Sequence, residues 1–128
     1  MREGLHQSAA GGFCSFEGWV RDHNEGHRVV ALEYEAEPAL CQKEAAKILQ
    51  EAQTKFDIIE LKAFHRTGKL KVGEMSVWVG VIAVHRDAAF AACRYTIDEI
   101  KHRLPIWKKE YHDNGQSQWV GCHHGMKG

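Results

Sequence analysis

The stretch Val84-His85-Arg86-Asp87-Ala88-Ala89-Phe90 is the part of this sequence best suited to chemistry. A strand ending there and a helix starting there would set two basic side chains beside free backbone N–H groups and the positive end of a helix dipole. That combination attracts anions. Arg86 can grip a phosphate through two parallel hydrogen bonds. The same spacing fits a plainer arrangement, in which Asp87 caps the helix, Arg86 is solvated and His85 is a hydrogen-bonded structural residue.

Lys101 falls in the last turn expected for that helix, and Lys108 follows after Pro105 redirects the chain. Two lysines on different elements can face one cleft, where mutual repulsion and partial burial disfavour the ammonium and make the amine a better base or nucleophile. Equally, Lys101 can complement the helix dipole, and Lys108 with Lys109 can form a solvated basic edge. Arg21, at a strand end beside Asp22-His23-Asn24-Glu25-Gly26, is a third candidate cation or a surface arginine at a hairpin end. Trp107 and Trp119 can stack on a flat ring or fill a core or interface.

Metal chemistry and thiol chemistry find less support. Cys122-His123-His124 offers ligand types, but three consecutive residues cannot all reach one ion from an ordinary backbone, and no fourth ligand stands out. Cys14, Cys41 and Cys93 fall on apolar faces, where a thiol packs rather than reacts. His23, His27, His65, His102 and His112 follow no ligand rhythm, and most of them read as ordinary surface residues. No Gly-rich phosphate loop, GxSxG elbow or HExxH helix is present.

The elements that must position these residues follow from periodicity. Residues 1–12 lack apolar rhythm and read as a flexible leader. Phe13 to Arg21 alternates as a strand, Asp22 to Gly26 turns the chain, and Val29 to Ala36 alternates again, so the two strands are expected to pair as a hairpin. Pro38 opens a helix whose Cys41, Ala45, Ile48, Ala52 and Phe56 share one face, with Gln42, Lys43, Lys47 and Gln50 towards water. Ile59, Leu61 and Ala63 mark a strand, Gly68 and Gly73 bracket a turn region, and Met75 to Val84, apolar on both faces, should be central in its sheet. A second helix runs from about Asp87 to Pro105. Ile106 to His112, the turn Asp113-Asn114-Gly115 and Trp119-Val120 form an edge hairpin. The whole is an α+β domain over residues 13–120, a mostly antiparallel sheet carrying two main helices, with 121–128 as a tail.

A chain of 128 residues buries one real core. Its 17 basic and 17 acidic residues balance, so charge argues for neither a nucleic-acid nor a membrane partner, and any anion site must be built locally. With four cysteines in no CxxC pair, no signal peptide and no apolar run able to span a bilayer, a soluble cytosolic protein with reduced thiols is expected.

Several blocks then point to a family: Phe16-x-Gly18-x-Val20-Arg21-x-x-Asn24-x-Gly26, Leu32-Glu33-Tyr34-Glu35, His65-Arg66-x-Gly68-x-Leu70-x-x-Gly73-Glu74, Val84-His85-Arg86-x-x-Ala89-Phe90, and Lys101-x-Arg103-x-Pro105-Ile106-Trp107-Lys108-Lys109-Glu110. In this order, from about Phe13 to Val120, they resemble the large, catalytic subunit of molybdopterin synthase. The resemblance implies an α/β hammerhead-like fold and a sulfurtransferase of molybdenum cofactor biosynthesis. It implies conversion of cyclic pyranopterin monophosphate into molybdopterin, with sulfur delivered on the C-terminal Gly-Gly thiocarboxylate of a small ubiquitin-like partner that threads into the large subunit. It implies a heterotetramer built on a dimer of large subunits, with no metal or other cofactor in this chain, because the partner supplies the attacking sulfur.

Carried over by position, the resemblance implies a pterin-phosphate site made of Trp19, Val20, Arg21, His85, Arg86, Lys101, Lys108, Lys109 and Glu110. Arg21, His85 and Arg86 would hold the phosphate, Lys101 would move protons and stabilise anionic intermediates, and Lys108 would support it. The family carries a further strand and helix before the position of Phe13 and a basic C-terminal segment, where this sequence has its leader and Cys122-His123-His124. A rival expectation is a non-catalytic scaffold of the same fold that binds a pterin or nucleotide phosphate.

Overall fold

Strand β6 (Met75–Ala83) is buried along nearly its whole length, and an apolar strand of that kind needs a neighbour on each edge and a layer on each face. In the computed structural model, which describes residues 9–120, both edges are filled antiparallel. β1 (Gly12–Trp19) runs along one, from Gly12 opposite Ala83 to Trp19 opposite Met75, and β4 (Glu60–His65) runs along the other, from Glu60 opposite Ile82 to His65 opposite Val77. The expected hairpin between the first two strands therefore does not form: β1 is taken by β6, and the following strand lies in a second sheet. The chain crosses between sheets through β2 (His23–Asn24), which turns into β3 (His27–Ala36) over the two-residue loop Glu25-Gly26. Both loop residues have positive φ, 49° and 84°, as the tightest hairpin turns require.

The second sheet has the order β2-β3-β7-β8, with β5 (Gly68–Lys71) also pairing β3. β7 (Ile106–His112) and β8 (Ser117–Val120) form the edge hairpin read from the sequence. Every ladder among the described residues is antiparallel. The segment between Gly68 and Gly73, expected to be a turn region, includes strand β5, whose Leu70 is buried against Leu32, Val29 and Val20. At the N-terminal end, β1 already includes Gly12, and Gly11 N–H bonds to the Ala83 carbonyl, so the ordered sheet begins slightly inside the expected leader; residues 1–8 and the tail 121–128, with Cys122-His123-His124, lie outside the described residues.

Helix α1 (Pro38–Lys55) starts on the Glu37 carboxylate, which accepts from Ala39 N at 3.0 Å and Leu40 N at 3.3 Å. Helix α2 (Arg86–Arg103) ends where Leu104 turns extended ahead of Pro105. Both pack on one face of the three-stranded sheet, burying Ile48, Ala52, Val77, Val79, Val81, Cys93, Ile97 and Ile100 together. Arg103 ties the helices at their rim through Glu44, Glu51 and Glu99. On the sheet's other face Trp78 lies over Gly80, where a Cβ would come 2.2 Å from the indole. No helix among the described residues is long and apolar enough to cross a membrane.

Candidate active site

Because β1, β4 and β6 are antiparallel and α2 runs back along β6, the candidate residues sort to two ends of the fold. At one end β4 delivers His65 and Arg66, α2 delivers Lys101, and β7 delivers Lys108. Lys108 pairs across the second sheet with Tyr34, and the Tyr34 ring meets the His65 ring edge-on at 4.8 Å and 76°. His65 Nδ1 lies 2.7 Å from the Arg66 carbonyl, so that nitrogen carries the hydrogen and donates it. Burial, and after it the charges of Lys101 and Lys108, hold the His65 imidazole below the usual histidine range, so it is neutral at neutral pH.

An open cleft of about 920 Å³ runs beside this group, lined by Tyr34, Cys41, His65, Thr67, Leu104 and Trp107, with Glu33, Glu35 and Glu37 also along it. Cys41 is not a nucleophile in waiting. Burial raises its thiol pKa, and its Sγ lies 3.5 Å from the Pro105 carbonyl. Cys93 is likewise pushed up to about 12 by burial and by Cys14 beside it. Arg21 follows the Trp19–Met75 end of β1 and so belongs to this same end, exposed; Trp19 is exposed too, its Nε1 donating to Glu17 at 3.0 Å.

His85 and Arg86 stand at the opposite end, beside Gly12, whose missing Cβ would sit 3.6 Å from the Arg86 Cα. The fifteen residues of helix from Arg86 to Lys101 separate them by about 22 Å at roughly 1.5 Å per residue. One copy of the chain therefore cannot bring Arg86 and Lys101 into one pocket. The start of α2 does keep the anion-receptive character read from the sequence: Asp87 lies inside the first turn, and the cap residue His85 makes no side-chain cap hydrogen bond.

Three of the expected site residues are committed elsewhere. Val20 is 3% exposed in the second core, with its N–H bonded to Glu74 and its carbonyl to Gly73. Glu110 is 2% exposed and accepts from Asn24 Nδ2 at 2.6 Å, with His112 Nε2 at 3.0 Å; His27 stacks on His112 at 4.6 Å. Lys109 points to the other face of β7, its Nζ 5.5 Å from the Tyr111 ring and 5.6 Å from the Trp119 ring. His65 was the residue that sequence reasoning passed over, because an isolated histidine has no spacing signature; its presence at the head of the His65-Arg66-x-Gly68 block was the available signal.

Residues 1–103 match the model of the MoaE protein family. The chain is 45% identical over 120 residues to the molybdopterin synthase catalytic subunit of Synechococcus elongatus, covering 92% of this chain and 72% of that one. It is 49% identical over 108 residues to the molybdopterin synthase catalytic subunit of Oryza sativa subsp. indica, covering 84% of this chain and 56% of the relative. The crystal structure of molybdopterin synthase from Staphylococcus aureus superposes with a TM-score of 0.87 at 34% identity, over 94% of this chain and 87% of that one. The fold also recurs, with a TM-score of 0.75 at 23% identity over 98% of this chain and 80% of that one, in a complex of subunits 1 and 2 of molybdopterin-converting factor from Helicobacter pylori.

Proposed function

The chain belongs to the MoaE protein family, and on that premise we propose that it catalyses the dithiolene-forming step of molybdenum cofactor biosynthesis. Sulfur passes from the C-terminal thiocarboxylate of a small ubiquitin-like partner to cyclic pyranopterin monophosphate. The observation that carries this reading is that Lys101, in the last turn of α2, and Lys108, opposite Tyr34 on β7, lie at the same end of the fold as His65, beside an open cleft of about 920 Å³. Two ammoniums there offset the charge of the incoming thiocarboxylate and of anionic intermediates, and Lys101, in the last turn of α2, relays protons. Lys108 supports it from β7. The thiocarboxylate is the nucleophile, so the reaction asks for no side-chain nucleophile, metal or organic cofactor from this chain. The cytoplasm is the compartment proposed.

The phosphate subsite at His85 and Arg86 serves this chemistry through a second copy. With about 22 Å of helix between Arg86 and Lys101, a dimer that sets the start of one α2 against the lysine end of its partner assembles a complete site from both. Arg21 then joins the lysine half, next to Trp19, while Val20, Lys109 and Glu110 support the walls rather than touch the substrate.

The test is reconstitution. The protein, a thiocarboxylated small partner and cyclic pyranopterin monophosphate should yield dithiolene product by mass, and Lys101→Ala should abolish it while its circular dichroism stays native. Near-normal turnover by Lys101→Ala would remove that lysine from the mechanism; precursor binding by the wild type without product would favour a non-catalytic scaffold.

A further inference from the structure

Strand β1 is an edge of the kind that folded proteins ordinarily protect. Among the described residues it pairs only with β6, and its eight residues hold one charge, Glu17, with no lysine and no proline. A long edge so little charged is a template for another strand. By contrast β4, on the other side of the same sheet, carries Glu60 and Lys62, and β8 is four residues long. Which groups β1 turns outwards follows from β6. The Ala83 carbonyl accepts from Gly11 N at 3.0 Å on the β1 side, and the Ile82 carbonyl accepts from Ile59 N at 2.8 Å on the β4 side. Successive residues of a strand turn their hydrogen-bonding groups to opposite edges. Cys14 and Phe16, opposite Val81 and Val79, therefore bond β6, whereas Ser15 and Glu17 turn N–H and C=O away from it.

The helix above this edge presents a matching face. α1 lies along one side of α2, joined to it by Tyr95 donating to Glu51 at 2.8 Å and by Arg103 donating to Glu44 and Glu51. Arg86, Phe90, Arg94 and Lys101, spaced four, four and seven residues apart, form the stripe on the opposite side, towards β1. All four are exposed, Phe90 by 60%. We propose that this edge and stripe receive a second copy of the chain: β1 pairs antiparallel with the partner's β1 about a two-fold axis at Ser15, and α2 lies antiparallel to the partner's α2. The choice of a second copy rests on the shared site proposed above, and the dimensions agree with it. Gly12 and Arg86 stand level, since a Cβ on Gly12 would lie 3.6 Å from the Arg86 Cα. From that level Ser15 is about 10 Å along the strand at roughly 3.3 Å per residue. The midpoint between Arg86 and Lys101 is about 11 Å along the helix at roughly 1.5 Å per residue. A two-fold axis at Ser15 therefore sets Arg86 level with the partner's Lys101. Because α2 packs over β1 and β6 alike, strands about 4.8 Å apart put the two helix axes about 10 Å apart, a normal distance for packed helices. Arg94 meets its own copy across the axis, with Asp98 3.6 Å away to offset the charge. Arg86 and the partner's Lys101 form a cationic pair that an anionic substrate neutralises, which ties the interface to the site.

Sedimentation of the full chain reads this interface without turnover, and the wild type should be a dimer. Ser15→Pro removes an outward N–H and leaves the ladder to β6 intact, so its circular dichroism should stay native. Its dimer dissociation constant should rise roughly 10- to 100-fold, because the two hydrogen bonds that Ser15 exchanges across the axis are lost. Phe90→Asp, on the helix stripe and outside the ladder, should weaken the dimer independently. A thiol cross-linker added to mixed Arg86→Cys and Lys101→Cys chains should yield a peptide joining 86 to 101, identified by mass. Either variant, folded and as dimeric as wild type, overturns the proposal, and so does a dimer that gives no peptide joining 86 to 101. A wild type that stays monomeric alone and takes up the small subunit one to one overturns it as well, giving the edge to that subunit's strand. Dimers with these signatures but no dithiolene product would refute the proposed reaction and leave the interface standing; product from a monomer would do the reverse.

Discussion

Replacing Glu110 by alanine separates a structural from a substrate-binding role for the residue. Its carboxylate is 2% exposed and receives Asn24 Nδ2 at 2.6 Å and His112 Nε2 at 3.0 Å, tying the β2–β3 turn to β7. Truncation leaves both donors without an acceptor, and a buried donor left unpaired costs about 1–3 kcal/mol. Half-buried Asn24 belongs near the bottom of that range and His112, 6% exposed, near the middle, for a sum of about 3 kcal/mol. That is a large share of the roughly 5–15 kcal/mol that holds a domain together. For a chain of this length it lowers Tm by about 10 °C. Glu110→Gln keeps one acceptor and should lose only about 1 kcal/mol. Urea unfolding followed by tryptophan fluorescence reads the difference as a shift in midpoint at constant slope. An alanine variant within about 1 kcal/mol of wild type that nevertheless loses precursor affinity would refute the reasoning and return Glu110 to the binding surface.

Other consequences are open to simpler tests. Arg103→Met should loosen the helix pair, because the guanidinium donates to Glu44 at 2.7 Å, Glu51 at 2.6 Å and Glu99 at 3.1 Å; thermal melts should show a lower Tm than wild type at pH 7. Hydrogen bonds from Arg103 and then Tyr95 hold the Glu51 pKa at about 2, so its contribution is fully present above the ordinary value of 4.5 and fades as pH falls from there through about 2. Wild type should therefore lose stability over that window more steeply than Arg103→Met, and parallel profiles would contradict the assignment. Gly80→Ala should cost about 1–3 kcal/mol, since the added Cβ meets the Trp78 indole at 2.2 Å; a neutral effect in urea unfolding would show that the indole moves freely.

The parts of the fold written in local periodicity were legible. Met75 to Val84 announces a central strand, Pro38 and Pro105 punctuate the helices, and Asp113-Asn114-Gly115 closes the last hairpin. What failed was non-local. Alternation in Phe13 to Arg21 says that it is a strand but not which strand it pairs with, and β6 more than fifty residues away outcompetes the sequence neighbour β3 for it. β5 hides because Gly68, Lys69 and Lys71 are poor strand formers, and only pairing with β3 makes it one.

The site shows the same division. That Lys101, Lys108 and Arg21 are candidates was legible from type and placement, whereas the burial of Glu110 was unreadable, because a carboxylate is ordinarily expected at the surface. The separation of Arg86 from Lys101 was implicit in the sequence all along, since fifteen intervening helical steps allow no other outcome.

Mixing two defective variants tests the shared site most directly. Arg86→Ala and Lys101→Ala, each nearly inactive alone at subsaturating precursor, should regain about a quarter of wild-type activity once their subunits exchange, because random reassortment makes roughly half the dimers mixed and each of these has one intact site. A mixture that exchanges subunits, shown by mass, and stays as inactive as its components would contradict a site built from the start of one α2 and the end of another.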